Sequence, residues 1–279
     1  KAGDWFEVDP ALINPADPDC VWRTRTVGRL KDGKGTSRPV EIHEVWSPVR
    51  AMALLLKLHL PLRTYQVRFL DSGEADTWRY EKGEWLLNQV HPFKNGNEKN
   101  PWNRGVFCRI RSADIGTIMA GLYINTNKTA DQSKDERERG YTIPWQHAEV
   151  LHWLEKLRNW QEKYNPIDSP TPCTELDVRH FGSAKSEQQQ REMGAICFLF
   201  RDACAKESDV RKPINSKSIS ILWYRLLSTL EDRVAARGQT LSDGSRLRFV
   251  QQYPDDHIGA KSGTEFPMHS LRVSLLTSY

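Results

Sequence analysis

The sequence lacks any apolar run of the roughly 18 to 20 residues that a membrane-spanning helix needs. Its first residues also lack the apolar stretch of a secretory signal peptide. Of the 279 residues, 38% are hydrophobic and 27% are charged, and the mean hydropathy is −0.64. These values favour a soluble globular chain without membrane contact, with enough residues for one large domain or two small ones.

Paired cysteines and clusters of metal-ligating residues are also missing. The five cysteines are odd in number and scattered, without a Cys-x-x-Cys spacing, which is typical of reduced thiols in an intracellular protein. No group of His and Cys has the spacing of metal ligands, so we predict neither a metal nor another cofactor. The net charge of +4 is compatible with a polyanionic partner but does not require one.

The regular elements predict an α+β fold that is mainly α, with one small antiparallel sheet of three strands. Ser47-Pro48 opens an apolar helix from 49 to about 60, which we expect in the centre of the core. The predicted strands are 106–111, 118–125 and 141–144, and the other predicted helices are 145–164, 187–207, 216–238 and one that begins at Pro267.

The first 45 residues differ from the rest in composition, because they are rich in Asp, Pro and Gly. Such segments favour turns and irregular structure over long helices. We therefore predict that residues 1–45 are an extension, or the tail of a preceding DNA-binding domain, with at most one hairpin. Residues 46–279 are predicted to form the main domain.

Two positively charged groups on helices are candidates for binding an anion. Arg63 and Arg68 follow the break of the apolar helix at Pro61, where an arginine either pairs with a carboxylate or is kept for an anionic ligand. His269 and Arg272 are three residues apart, so they lie side by side on the last helix and could hold a phosphate. An HxxR pair also occurs on many helices as a plain surface pair.

A lysine is a third candidate for binding the anion. Lys128 lies in the hydrophilic segment between the second and third predicted strands, a kind of hairpin tip that is often simply solvated. An arginine after a core helix, a lysine on a β-hairpin and a helical His-x-x-Arg, in this order, resemble the catalytic domain of tyrosine recombinases, the phage-type integrases. The resemblance covers about residues 46–279, and the recombinase-like sequence of the last helix is His269-Ser270-Leu271-Arg272.

The sequence departs from the pattern of this family at several positions. Pro61 and Gln66 stand where a glycine and a glutamate are usual, and Val273 replaces a frequent second histidine. The hairpin tip is longer than usual, so Lys134 competes with Lys128 for the role of the family's lysine. The interval between the lysine and the His-x-x-Arg motif is also longer, which is characteristic of divergent members carried by mobile elements.

The resemblance implies site-specific DNA recombination or integration by metal-free transesterification on the DNA breaking-rejoining fold. Arg63 and Arg272 would bind the scissile phosphate, Lys128 would protonate the leaving 5′ oxygen, and His269 would hold the proton of the nucleophile. In this family a tyrosine on a later helix attacks the phosphate. We therefore expect the nucleophile beyond residue 279, and expect the chain as it stands to be inactive.

The same resemblance implies double-stranded DNA as the partner, a homo-oligomer on the DNA, and a place in the bacterial cytoplasm at the nucleoid. Two alternatives remain open. The Pro61 and Gln66 departures favour a catalytically inactive, recombinase-like DNA-binding accessory protein of a mobile element. In the other alternative, Arg63 is salt-bridged, Lys128 is solvated and His269 is an ordinary surface residue, so the four side chains are scattered in space.

Overall fold

An apolar helix lies at the centre of the computed structural model of this chain, which describes residues 4–29, 37–111, 116–127, 131, 134, 138–144, 147–253 and 262–278. This helix, α1, spans Val49–His59 and buries Val49, Ala53, Leu54 and Leu56, whereas Leu58 is 48% exposed. It contacts α2 (Thr64–Arg68), α3 (Ala148–Tyr164), α6 (Ser216–Ala236) and α7 (Ser270–Ser278). The prediction of a central core helix that breaks before Pro61 is confirmed.

The predicted three-stranded sheet packs on the same core. Its strands are β6 (Phe107–Arg111), β7 (Ile118–Ile124) and β8 (Tyr141–Ile143), all antiparallel, with β7 in the middle. Leu122 pairs with Phe107 on one side and Ile143 on the other, and all three side chains are buried. The register of the sheet therefore follows the burial of its apolar residues.

The N-terminal segment is more regular than predicted. β1 (Trp5–Val8), β2 (Trp22–Arg29) and β3 (Arg38–Trp46) form an antiparallel sheet in the order β1-β3-β2. Val45 of β3 is fully buried in the cluster that contains α1. The composition did not reveal these strands, because their arginines are held by a buried carboxylate. Arg23 and Arg25 both bind Glu44.

The prediction of one helix over 187–207 is wrong. The helix α5 spans only Glu187–Glu192, and Gly194 then takes a positive φ of 71°. β10 (Ala195–Ile196) follows and pairs with β9 (Thr171–Pro172). Every residue from Ile196 to Phe200 is buried, which a helix with one apolar face cannot achieve.

The two longest helices are α6 and α3, and the remaining elements are short. α6 ends two residues before Gly238, as predicted, and α3 confirms the described part of the helix predicted over 145–164. The other strands, helices and 3₁₀ turns are β4 (Trp78–Glu81), β5 (Glu84–Leu87), β11 (Gln251–Gln252), β12 (Ser262–Gly263), α4 (Val178–Phe181), Pro10–Leu12, Cys173–Glu175 and Glu207–Asp209. Among the described helices, none combines the length and the apolar composition that crossing a bilayer would require.

Candidate active site

Arg63 lies at the turn where the chain leaves α1 and enters α2. The backbone N–H of Leu62 donates to the carbonyl oxygen of Leu60 over 2.7 Å, which turns the chain at Pro61, and α2 begins at Thr64, so the half-buried Arg63 caps its N-terminus. The backbone N–H of Arg63 donates to Oε1 of Gln66 over 3.0 Å, which fixes the first turn of α2. Within the described ranges no carboxylate forms an ion pair with Arg63, so the structural pairing considered above is not found there.

Arg68, the second arginine of this segment, has a structural environment. Its buried guanidinium donates to the backbone carbonyl oxygens of Ile214 and His180, the second over 2.8 Å. Burial lowers the pKa of Arg68 to about 10. Because its donors are used by carbonyls of two distant segments, Arg68 ties α2 to the core and is not available to a ligand.

A third cation, Lys57, was missed by the sequence analysis. It lies in the last turn of α1, is only 1% exposed, and donates from Nζ to the carbonyl oxygen of Leu62 over 3.0 Å. Burial, followed by the positive charge of Arg272, lowers the pKa of Lys57 to about 8. The sequence did indicate that this lysine is buried. Lys57 stands between Leu54-Leu55-Leu56 and Leu58, at a position that the helical period places on the buried face.

Arg272 lies on α7, close enough to Lys57 for its charge to act on the lysine. Its Nε is fully buried and has no acceptor among the residues that the structure describes. Two contacts hold the start of α7 in place: Met268 packs against the main core, and Nε1 of Trp223 donates to the carbonyl oxygen of Phe266 over 2.8 Å. The structure therefore brings Arg272 to the end of α1 from which Arg63 follows.

His269 precedes α7 in a turn, and its side chain is exposed. The helix begins at Ser270 and not at Pro267 as predicted, so His269 lies one residue before it, and its carbonyl oxygen accepts the backbone N–H of Arg272 over 3.2 Å. No described contact joins the imidazole to Arg63 or Lys57. The backbone thus places His269 near the site, and its role in chemistry stays a prediction.

Lys128 lies outside the described residues, but the base of its hairpin is described. Nε2 of Gln66 donates to the carbonyl oxygen of Thr126 over 3.0 Å, and Nδ2 of Asn125 donates to that of Phe69 over 2.6 Å. These two bonds join both ends of α2 to the end of β7. The strand that leads to Lys128 is consequently fixed to the helix that begins next to Arg63.

The far side of the hairpin is built on the backbone of Lys134. Its N–H donates to the carbonyl oxygen of Asp131 over 3.2 Å, and its own carbonyl oxygen accepts Nε of Arg139 over 2.9 Å. Gly140 closes the hairpin with a φ of 86°, at a point where an added Cβ would lie 2.1 Å from the carbonyl oxygen of Ile124. Lys134 is half-buried, and the choice between it and Lys128 stays open.

The charges at the end of α1 are not balanced. Lys57, Arg63 and Arg272 gather there, and none of them forms an ion pair with a carboxylate of the described residues. Two buried cations elsewhere are paired with carboxylates, Arg201 with Glu74 at 2.6 Å and Arg79 with Glu162 at 2.6 Å, whereas Arg68 is held by carbonyl oxygens alone. A buried charge without a counter-charge is costly, so this arrangement favours the binding of an anion.

Within the part of the chain that the structure describes, one group of side chains has the spacing of a metal site. Ligand atoms of Glu74, His91 and Glu162 lie within 4.8 Å of one another. Arg201 forms two hydrogen bonds with Glu74, and Arg79 forms two with Glu162, whose pKa falls to about 2 through hydrogen bonds from His91 and Arg79 that outweigh burial. Because the arginines already neutralise both carboxylates, we interpret this group as a structural ion network.

Comparison with known proteins gives one match. The model of a family described as "Putative integrase" matches residues 1–174. The matched segment contains α1, Arg63 and the hairpin of Lys128, and it ends before α7 with His269 and Arg272. No curated protein and no solved structure matches the chain.

Proposed function

Because this chain belongs to the integrase family whose model covers residues 1–174, we propose that it breaks and rejoins DNA by the mechanism of tyrosine recombinases. The fold that goes with this mechanism is the mainly α recombinase core with its three-stranded sheet. The substrate is double-stranded DNA, on which several copies of the chain assemble. The observation that supports the proposal is the group of cations at the end of α1: Lys57 binds the carbonyl oxygen next to Arg63 and lies in the field of Arg272, and no carboxylate of the described residues forms an ion pair with any of the three.

The reaction needs charge balance at the phosphate. When the oxygen of a tyrosine attacks phosphorus, negative charge grows on the two non-bridging oxygens, and guanidinium groups stabilise it with paired donors. Arg63 and Arg272 are the two guanidinium groups in question. Arg63 precedes α2 and Arg272 lies on α7, and in this proposal they hold the phosphate from two sides.

Two proton transfers complete the step. The bond between phosphorus and the 5′ oxygen breaks as the bond to tyrosine forms, and Lys128 gives its proton to the leaving oxygen. The imidazole of His269 receives the proton of the tyrosine hydroxyl. The resulting 3′-phosphotyrosyl bond keeps the energy of the broken bond, so a second strand can be joined without ATP. The attacking tyrosine is not assigned to any residue of this chain.

A trapping experiment tests this proposal. The full-length protein is incubated with a nicked duplex taken from the DNA that borders its own gene, in buffer containing EDTA, and covalent adducts are separated on a denaturing gel. We expect an adduct in the wild type and a loss of about 100-fold or more in Arg63→Ala and Arg272→Ala. Arg237→Ala, at an exposed position after α6, is the matched control and keeps wild-type activity. An adduct that needs a divalent metal, or that survives both substitutions, contradicts the proposal.

A second candidate function is a DNA-binding accessory protein that cuts nothing. It is favoured by Pro61 and Gln66, which replace the usual glycine and glutamate, and by the engagement of Gln66 with the Thr126 carbonyl. It predicts salt-dependent binding of the wild type to DNA without any adduct. The same gel, with binding measured in parallel, separates the two functions.

A further inference from the structure

Lys57 is the most deeply buried charge at the proposed phosphate site. It lies on α1, and its Nζ reaches out of the helix to the carbonyl oxygen of Leu62, the residue before Arg63. That hydrogen bond joins the one from the N–H of Leu62 to the carbonyl oxygen of Leu60, over 2.7 Å, in holding the turn that presents Arg63. A neutral apolar residue would fill the same space without holding the carbonyl.

The surroundings of Lys57 do not balance its charge. Of the elements packed against α1, α7 contributes Arg272, the one charged group among the described residues whose field acts on Lys57. The carbonyl oxygen of Leu62 takes one of the three donors of the ammonium group, and no described carboxylate takes another. Two like charges are therefore held close together in a buried place, which is unfavourable until an anion arrives.

We propose that Lys57 is a positioning residue of the phosphate site, which fixes the turn that carries Arg63 and whose charge is balanced when a backbone phosphate binds between Arg63 and Arg272. The inference rests on the proposed function, because it takes a DNA phosphate as the anion. Lys57 itself stays buried and acts through the two arginines.

A consequence is that DNA binding and the protonation of Lys57 are linked. The bound phosphate favours the charged form of the lysine, so the pKa of Lys57 rises from about 8 toward its ordinary value when DNA binds. Binding then takes up a proton at alkaline pH, and the affinity falls by up to about tenfold for each pH unit above 8.

The test measures the affinity of the full chain for a short duplex at fixed salt between pH 7 and pH 9.5, in four proteins. Wild type and the control Lys99→Met, an exposed loop position, should lose about fivefold between pH 8 and pH 9, because about half of Lys57 is charged at pH 8 and about a tenth at pH 9. Lys57→Met should bind more weakly at pH 7 and show no such loss. Lys57→Arg, which keeps the charge at all these pH values, should restore binding at pH 7 and also remove the loss.

The outcomes separate this inference from the proposed function. If Lys57→Met keeps the pH profile of the wild type while Arg63→Ala and Arg272→Ala weaken binding, the inference fails and the phosphate site stands. If neither arginine affects binding, the phosphate site itself fails and the inference with it. If the thermal transition shows that Lys57→Met does not fold, Lys57→Arg decides the question. A pH profile of Lys57→Arg equal to that of the wild type then overturns the inference.

Discussion

The side-chain amide of Gln66 donates a hydrogen bond to the carbonyl oxygen of Thr126 over 3.0 Å, and thereby joins the helix that follows Arg63 to the strand that leads to Lys128. The same nitrogen also lies 3.3 Å from the hydroxyl of Tyr141 in β8, while Oε1 accepts the backbone N–H of Arg63. A glutamate could accept from Arg63 but could not donate to a carbonyl. The departure from the family pattern thus has a structural reason.

Gln66→Glu is expected to weaken this junction. The change places a carboxylate oxygen against the carbonyl oxygen of Thr126 in a buried place, and we expect a loss of about 1–3 kcal/mol in the free energy of unfolding, measured in urea. Gln239→Glu, at an exposed position, is the control and should leave the unfolding midpoint unchanged. If Gln66→Glu unfolds at the wild-type urea concentration at pH 7, the junction does not contribute as described.

The buried ion pair of Arg201 and Glu74 predicts a larger effect. Both side chains have no exposure, and the guanidinium also donates to the carbonyl oxygen of Asn165 over 2.9 Å. Arg201→Met leaves Glu74 buried without its partner, which should cost about 3–5 kcal/mol of unfolding free energy. Arg191→Met breaks the exposed pair with Glu187 and should change little. Equal effects of the two substitutions would show that burial does not govern these pairs.

Asp71 and Asp76 give the fold a dependence on pH. Burial raises the pKa of both well above the ordinary value of 3.8, and the charge of Glu74 adds to this at Asp71 and the charge of Asp71 at Asp76. The folded state therefore binds more protons than the unfolded state, so these groups contribute stability at low pH that is progressively lost as the pH rises above about 4.

Asp76→Asn tests this contribution, because asparagine imitates the protonated acid beside the N–H groups of Arg104 and Gly105. Unfolding free energies of both proteins are measured between pH 5 and pH 8. His180, whose pKa is lowered by burial, changes the unfolding free energy with pH in the opposite direction. Because it is present in both proteins, its contribution cancels in their difference. The variant should gain stability relative to the wild type as the pH rises, and a constant difference between them would contradict the assignment.

Sequence patterns predicted those parts of the fold in which local signals agree with tertiary packing. The helix from Val49 has an apolar face, a proline before it and a proline after it, so its bounds could be predicted to about one residue. The segment from Ile196 to Phe200 has the composition of a helix face, but Asp71 binds the N–H of Cys197 and draws the chain into an extended course. That contact spans more than a hundred residues and has no local signal.

The candidate site shows the same division. Arg63 and Arg272 were predicted from the motifs around them; the structure places Arg63 just after α1 and Arg272 on α7 near Lys57, and their role in binding a phosphate stays a prediction. Lys57 belongs to no motif, and its importance follows only from burial and from the like charge that α7 brings next to it. The sequence of one helix cannot reveal which element covers it.

The central claim, that Arg63 and Arg272 hold the same phosphate, is tested most directly by the salt dependence of DNA binding. The logarithm of affinity is measured against the logarithm of salt concentration for wild type, each alanine variant and the double variant, since each phosphate contact contributes a slope of about 0.9. We predict that the slope of the double variant is smaller than that of the wild type by the value of about one phosphate contact. We also predict that its loss of binding free energy differs from the sum of the losses in the two single variants. A loss of about two contacts with additive free energies would mean that the arginines bind separate phosphates, and would contradict the account.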